Sequence, residues 1–436
     1  MATMKTRVRA EWHRLREVVM HRPGIEMFFG LLEPYSFLYE RAFSMDDAVH
    51  EHRELEYLLN EEGVRVRRLK RIAIELAKGE NTLLEQSRRL ALGIVRFEGP
   101  KAERERAQSA FEKNIETMDP ETVFNILVLK PKLVLEKRRG TRVIFPRVTL
   151  DVPLANLFFM RDQQAVTDMG VVVGRMAKPQ RRMETVVTAT ILELMGAEIV
   201  HSIRSPGTFE GGDFLPADTF AMVGQGDRTN SAGVKQVLEN GLDFDEVAVV
   251  HQPAHPLIPG NQRDPMINMH LDTYVNIAGE GIAVGCEPLL KRARVEVYRK
   301  NAAGRYTLRR SSENLHEYLK KKKFVIVPIT TLEQMCYASN FLCVRDRRII
   351  AIETDIVAEK VMRNLGAQAS GNPGRYGALW EQAKQDRRRL TETGQFFPRK
   401  KEFQDLGIET VPITLQEITG GYGGAHCMTA TIDRAE

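Results

Sequence analysis

A strand-strand-helix-strand unit recurs along this chain after Asp162, and it narrows the choice of folds more than any other feature. Short apolar runs mark the strands, and helical periodicity marks the segments between them. Residues 165–167 and 171–175 read as strands, 184–194 as a helix and 198–202 as a third strand. The pattern returns at 214–224, in a helix near 232–238, and at 246–251. It returns again at 271–286 with 324–328, and at 339–352 with 408–413. Units repeated about five times, with irregular periods and little identity between copies, predict a quasi-cyclic α/β assembly.

Upstream, residues 15–21 read as a strand closed by Arg22-Pro23-Gly24. Ser44 is placed to cap a helix with Asp46 and Asp47 in its first turn. Ala48, Val49, Leu55, Leu58 and Leu59 give that helix an apolar stripe, and Gly63 stops it before a strand at 64–69. From 72 to 138 the residues are charged and helix-favouring, punctuated by Pro100, Pro120 and Pro131. That texture predicts a small helical subdomain inserted into a single catalytic domain spanning residues 1–436.

Composition sets limits on function. At 436 residues and 43% hydrophobic, the chain can bury a sizeable core. Its 63 basic and 58 acidic residues leave a net charge of +5, which argues against a dedicated nucleic-acid binder. No apolar run approaches the roughly 18 residues of a membrane span, and 1–7 lacks the apolar core of a secretory leader. Cys286, Cys336, Cys343 and Cys427 form no CxxC pair, which fits a reducing compartment. The expectation is a cytoplasmic protein with neither nucleic acid nor membrane as a partner.

Chemistry concentrates near the C-terminus, in Gly420-Gly421-Tyr422-Gly423-Gly424-Ala425-His426-Cys427. Four glycines let a backbone fold tightly and pass close to a ligand, so the Cys427 thiol reads as presented rather than packed. Upstream lie Arg161-Asp162, Glu210-Gly211-Gly212-Asp213 and His270-Leu271-Asp272. In an extended segment His270 and Asp272 would share a face and look into one cavity. A thiol, an imidazole and several carboxylates suit attack on a planar cationic carbon. Asp162 and Asp272 would clamp a guanidinium by paired hydrogen bonds. Cys427 would attack its carbon, His270 would exchange protons and Glu210 would orient His270.

Plainer readings exist for each piece. Cys286, Cys336 and Cys343 sit among apolar neighbours and read as inert. Asp162 after Arg161 also reads as a structural ion pair, and Arg228 in Gly226-Asp227-Arg228-Thr229 as a turn residue. The run Lys320 to Lys323 reads as a helix end. His270, Asp272, Glu210 and Cys427 could ligate zinc in a metal-dependent amidinohydrolase, although no zinc-type spacing supports it. A binding protein that keeps the pocket without the chemistry is a further alternative.

Taken in order, the motifs resemble the guanidine-modifying enzymes, and most of all the arginine deiminases. The resemblance runs from Val19-Met20-His21-Arg22-Pro23-Gly24 through 156–162, Arg181 with Glu184, 210–213, Arg228-Thr229 and 269–273 to 423–429. It implies a fivefold pseudosymmetric α/β propeller, the pentein fold, with the site at its centre. It implies that Cys427 forms a covalent thiouronium intermediate, that His270 is the general acid and base partnered by Glu210, and that Asp162 and Asp272 grip the guanidinium. Asn156, Arg181 and Arg228 match the positions that hold the substrate's α-carboxylate. Phe159 matches an aromatic that packs on the substrate, and Asp213 a recurrent carboxylate. Gly424 belongs to the substrate-binding loop. L-Arginine is the implied partner and no cofactor or metal is implied, while homo-oligomerisation is left open. Within the same superfamily a dihydrolase or an amidinotransferase is the alternative. The chain departs from the family at Tyr422, where members often carry arginine, and over 30–43, which is rich in aromatics.

Overall fold

Five sheets share one pairing pattern, in which a first strand runs antiparallel to a second and the second runs parallel to a third. The computed structural model describes residues 6–79, 81–137, 140, 143–260 and 267–436. Residues 1–5 of the N-terminal segment, and residues 80 and 138 of the expected helical insertion, lie outside the described residues. Four units follow one another after Asp162. They are Gln164–Thr167, Gly170–Val173 and Ile199–Ser202; Phe214–Ala217, Phe220–Gln225 and Glu246–His251; Val275–Gly279, Ile282–Cys286 and Val325–Ile329; and Leu342–Arg345, Arg348–Ile352 and Glu409–Ile413.

A parallel pair requires a crossover, and helices supply it. Arg182–Leu194, Ser231–Asn240 and Leu315–Lys321 serve the first three of these units, and the paired helices Thr354–Gly371 and Pro373–Thr393 serve the fourth. Local signals start several of them. Asn230, Asn314 and Asn372 each accept a hydrogen bond from a backbone N–H in the first turn. The strands are short apolar runs such as Gly170-Val171-Val172-Val173, buried at every position, as expected where both faces are covered. A hairpin of Arg294–Lys300 and Tyr306–Asn314 extends one sheet by pairing with Glu246–His251.

The fifth unit is assembled from both ends of the chain. Arg14–Met20 is its middle strand, and helix Met45–Glu61, capped by Ser44, crosses to the parallel strand Arg65–Arg68. The antiparallel partner is the C-terminal strand Ala430–Ala435. The sequence reading ends its last copy at 413 and assigns no strand there. Asp433 and Arg434 interrupt the apolar pattern, and the structure accommodates Arg434 by burying it fully against Glu11 at 3.0 Å.

Successive units touch. Ala430–Ala435 packs beside Gln164–Thr167, and Arg175 bridges Phe209. The turn Gly211–Asp213 meets the turn Leu271–Thr273, Val275–Gly279 meets Leu342–Arg345, and that strand meets Arg14–Met20. Every unit therefore sends the segment leading into its first strand toward the same region. These five segments carry Asp162, Glu210 to Asp213, His270 with Asp272, Asn340, and His426 with Cys427.

The reading of 72–138 as purely helical is incomplete. Helices Leu69–Gly79, Asn81–Ile94, Lys101–Ile115 and Pro120–Leu129 are joined by strands Arg96–Glu98 and Pro131–Lys137, which pair with Ile144–Leu150 in a separate sheet. Lys132 to Lys137 places apolar residues between charged ends, and that texture masks a strand. Pro146 sits on the edge strand, where its missing N–H breaks no ladder.

Candidate active site

Asp162, Arg181, Arg228, His270 and Cys427 line one small cavity with Asn156, Phe159, Leu38, Met269, Gly421 and Tyr422. Its volume is about 20 Å³, room for about one water. A larger cavity of about 620 Å³ lies elsewhere, between Pro328–Thr331 and the helix Pro373–Thr393, and none of the candidate site residues lines it.

Cys427 is 3% exposed, so the expectation of a presented thiol is corrected. The glycine loop folds inward. A Cβ at Gly423 would stand 2.4 Å from Phe159 Cε1, and one at Gly421 3.0 Å from Phe159 Cε2. Only bare backbone lets the loop settle on that ring, and the loop then roofs its own cysteine. Tyr422 adopts the left-handed region at φ 68°, as does Leu38 at φ 64° from the aromatic segment opposite. The two sides are joined. Glu40 N donates to Gly420 O at 2.7 Å, Tyr39 Oη to Ala155 O at 2.6 Å, and Asn156 Nδ2 to Phe37 O at 2.7 Å.

The imidazole of His270 lies between two carboxylates. Its Nε2 hydrogen-bonds Glu210 Oε2 at 2.9 Å, and its Nδ1 stands 3.6 Å from Asp162 Oδ1. Burial pushes His270 down, but Asp162, Glu210 and Asp213 outweigh it and raise its pKa to about 9. Burial likewise opposes the charge on Glu210, yet Arg228 and His270 lower its pKa to about 2. The Arg228 guanidinium is 1% exposed, with Nη1 3.8 Å from Glu210 Oε2. Burial raises Asp213 to about 6. It stands behind the cavity, accepting from Leu271 N at 3.1 Å.

The glycines of Glu210-Gly211-Gly212-Asp213 explain how this packing is reached. A Cβ on Gly211 would meet Arg161 O and Gln164 O at 2.2 Å, and one on Gly212 would meet His270 Nδ1 at 2.7 Å. Only a side-chain-free turn fits between Asp162 and His270.

Asp272 approaches the sulfur from another direction. Its Oδ2 lies 3.5 Å from Cys427 Sγ and 2.8 Å from His426 Nδ1. The second ring nitrogen of His426 stands 3.6 Å from Glu11 Oε1, and Glu11 is held by Arg434 and Arg161. Burial opposes the Asp272 charge, but His426, His270 and Arg161 hold its pKa below the usual carboxylate range. The expectation that His270 and Asp272 share one face of a strand is corrected. Leu271–Thr273 is a single tight helical turn, so His270 lines the cavity while Asp272 reaches the sulfur from behind it.

Arg181 donates from Nη1 to Asp162 Oδ2 at 2.7 Å and from Nε and Nη2 to Glu184. Asp162 Oδ1 and Asp272 Oδ1 are buried and accept no hydrogen bond from the described residues. Gly424 does not line the cavity. Its N–H donates to Asn340 Oδ1 at 2.8 Å, and Ile352 packs where its Cβ would stand. Asp162, Glu210 and His270 each bring a possible ligand atom within 4.8 Å of the others. That set differs from the zinc ligands considered above, and Arg181, Arg228 and the His270 proton already balance its charge. Cys286, Cys336 and Cys343 are buried, and burial pushes all three thiols up.

Asn340, His426 and Glu11 were not singled out from sequence. Position offered a signal for Asn340, which precedes its unit's first strand as Asp162 does. His426 lies within the glycine motif, beside Cys427. Glu11 gives no signal in a single sequence.

The family model for arginine deiminase matches residues 35–434. The arginine deiminase of Halobacterium salinarum is 24% identical in an alignment covering 99% of this chain and 97% of that protein. Arginine deiminase 1 of Staphylococcus epidermidis is 22% identical, with 98% of each chain covered. In structure the chain is similar to SxtG, an amidinotransferase from Microseira wollei, with a TM-score of 0.51, 12% identity, and 99% and 98% of the two chains covered. That likeness supports the α/β fold alone. Among the described residues no helix is long and apolar enough to cross a membrane. With a family match over nearly its whole length and a thiol, an imidazole and carboxylates gathered at one cavity, the chain belongs to the arginine deiminase family.

Proposed function

We propose that the chain hydrolyses L-arginine to L-citrulline and ammonia through a covalent intermediate on Cys427. The observation that carries this reading is the gathering of Cys427, His270, Asp162, Arg181 and Arg228 around one small cavity. Asp162 Oδ1 at the cavity and Asp272 Oδ1 behind the sulfur are buried with no hydrogen-bond donor among the described residues. A guanidinium offers five N–H donors in one plane and would satisfy both. Arg228, with Arg181 and Asn156, supplies the cationic and amide side for an α-carboxylate.

In the resting site burial pushes the Cys427 thiol well up, and Asp272 and Asp162 push it further. The entering cation offsets those carboxylates, and the thiol proton passes to bulk water. The thiolate adds to the guanidinium carbon. His270, protonated at neutral pH, gives its proton to one terminal nitrogen, and the C–N bond breaks to release ammonia. The remaining thiouronium is a cation bonded to sulfur. Neutral His270 then takes one proton from water as its oxygen adds to the same carbon. The C–S bond breaks and the thiolate is restored. The second water proton leaves to bulk solvent, where ammonia takes it up as ammonium. A cavity of about 20 Å³ cannot admit arginine, so the Leu38 segment and the Tyr422 loop must part for each turnover.

We also propose that the five units close as a fivefold propeller with this cavity at its axis, and that 72–138 is an insertion outside that ring. The ordered contacts between successive units support the closure. Four cysteines without a disulfide support a cytoplasmic setting.

Analysis of products after incubation with arginine tests the reaction. Citrulline and ammonia are expected; ornithine would indicate a dihydrolase, and guanidine transfer to an added amine an amidinotransferase. The Asp162, Glu210 and His270 cluster favours one alternative, a metal-assisted hydrolase. Full activity in chelator, lost on thiol alkylation, is expected, and the reverse would support the metal. Agmatine turned over as efficiently as arginine would overturn the carboxylate role of Arg181 and Arg228.

A further inference from the structure

Asn340 precedes the strand Leu342–Arg345 by two residues, as Asp162 precedes Gln164–Thr167. Its side chain is fully buried and makes four contacts at the site. Oδ1 accepts from Gly424 N at 2.8 Å and from Cys427 N at 3.0 Å. Nδ2 faces Cys427 Sγ at 3.1 Å and Asp272 O at 3.4 Å. The amide has one workable orientation. Two backbone N–H groups require the carbonyl oxygen, which turns the NH₂ group toward the sulfur. The Gly424 backbone N–H also favours the thiolate, whereas the Asp272 carboxylate at 3.5 Å repels it.

We infer that Asn340 is a catalytic residue of this site: its Nδ2–H bonds the Cys427 sulfur and favours the thiolate, while its Oδ1 fixes the loop from which that sulfur attacks. This rests on the reading of Cys427 as nucleophile. Burial, Asp272 and Asp162 push the thiol up, and the Asn340 hydrogen bond acts in the opposite direction. After addition to the substrate carbon the sulfur carries no charge, so the bond weakens. It strengthens again as the C–S bond breaks and the sulfur leaves as thiolate. Asn340 thereby assists both formation and release of the intermediate.

The test is iodoacetamide labelling of Cys427 from pH 6 to 10, followed by peptide mapping, in the wild type, Asn340→Asp and Asn340→Ala. Asn340→Asp keeps the acceptor oxygen and close to the native shape but loses the donor. Asn340→Ala removes the donor without adding charge. Both are expected to label Cys427 about 10- to 100-fold more slowly at a given pH, the range for a lost hydrogen bond to a charged group. A kcat loss of similar size is expected, with KM within about threefold. Asn340→Asp keeps the question decidable if the alanine variant does not fold. Unchanged labelling and kcat in Asn340→Asp would overturn the inference, as would slowing in Asn340→Asp with none in a folded Asn340→Ala. The two readings fail differently. A wild type that turns over arginine with no adduct on Cys427 sinks the nucleophile reading and this one with it. A normal wild-type adduct with indifferent Asn340 variants sinks this one alone.

Discussion

His270 and His426 share the site but differ in surroundings. Asp162, Glu210 and Asp213 raise His270 above the ordinary imidazole value of 6.5 to about 9. Its imidazolium is therefore the resting form, and kcat/KM for arginine is expected to fall as pH rises through about 9. A high-pH limb that is unchanged in a partly active His270→Gln enzyme would assign the limb to another group. The same shift has a stability consequence. The stabilisation it brings is complete below 6.5 and is lost as pH rises through about 9, so His270→Ala should lose more stability at pH 6 than at pH 10 in urea titrations. His426 touches Asp272 and does not line the cavity. Removing its 2.8 Å bond in His426→Ala is expected to lower kcat by about 10- to 100-fold, with partial rescue by His426→Gln. Equal activity in the alanine variant would leave Asp272 positioned by its other neighbours. Residue type alone brought Cys427, His270, Asp162, Glu210 and Asp272 forward in the sequence, and the structure places them close together. Glu11 was not legible there, because a lone acid near the N-terminus gains meaning only when Arg434, more than 400 residues away, closes on it.

Two short elements cover Cys427, and both were legible only in part. The glycine run announces a tight loop, but sequence does not say whether a tight loop presents its thiol or roofs it. Phe159 under Gly421 and Gly423 decides for the roof. Gly423→Ala would place a methyl group 2.4 Å from that ring. A stability loss of about 1–3 kcal/mol is expected, with weakened arginine turnover, and thermal melts with steady-state kinetics check both. Tyr422→Gly releases a left-handed tyrosine at φ 68° and removes one wall of the cavity, so faster iodoacetamide labelling of Cys427 is expected. Unchanged labelling would locate the barrier in the Leu38 segment instead. The His270-Leu271-Asp272 segment shows the same limit of sequence reading. Two-residue spacing predicts one shared face only in a strand, and a helical turn of three residues separates the two side chains.

At the scale of the molecule, four strand-strand-helix-strand units announce themselves through short apolar strands. The unit made from both termini does not, since its halves are separated by nearly the whole chain and one carries Arg434. Pairing of Ala430–Ala435 with Arg14–Met20 makes the fold depend on its last residues. Breaking the buried Glu11 and Arg434 pair with Arg434→Ala is expected to remove about 3–5 kcal/mol of stability in denaturant titrations. A loss below about 1 kcal/mol would mean that water reaches the site and solvates Glu11. Four of the five units line one cavity, and Asn340 of the remaining unit bonds the loop that carries Cys427, so the placement of Cys427 beside Asp272 depends on contacts between units. The most direct measurement is intact-protein and peptide mass analysis of enzyme quenched within a turnover of mixing with arginine. A transient mass increase equal to arginine less ammonia, confined to the Cys427 peptide and followed by free citrulline, is the expected result. Citrulline formed at full rate with Cys427 unmodified at every time point would contradict it.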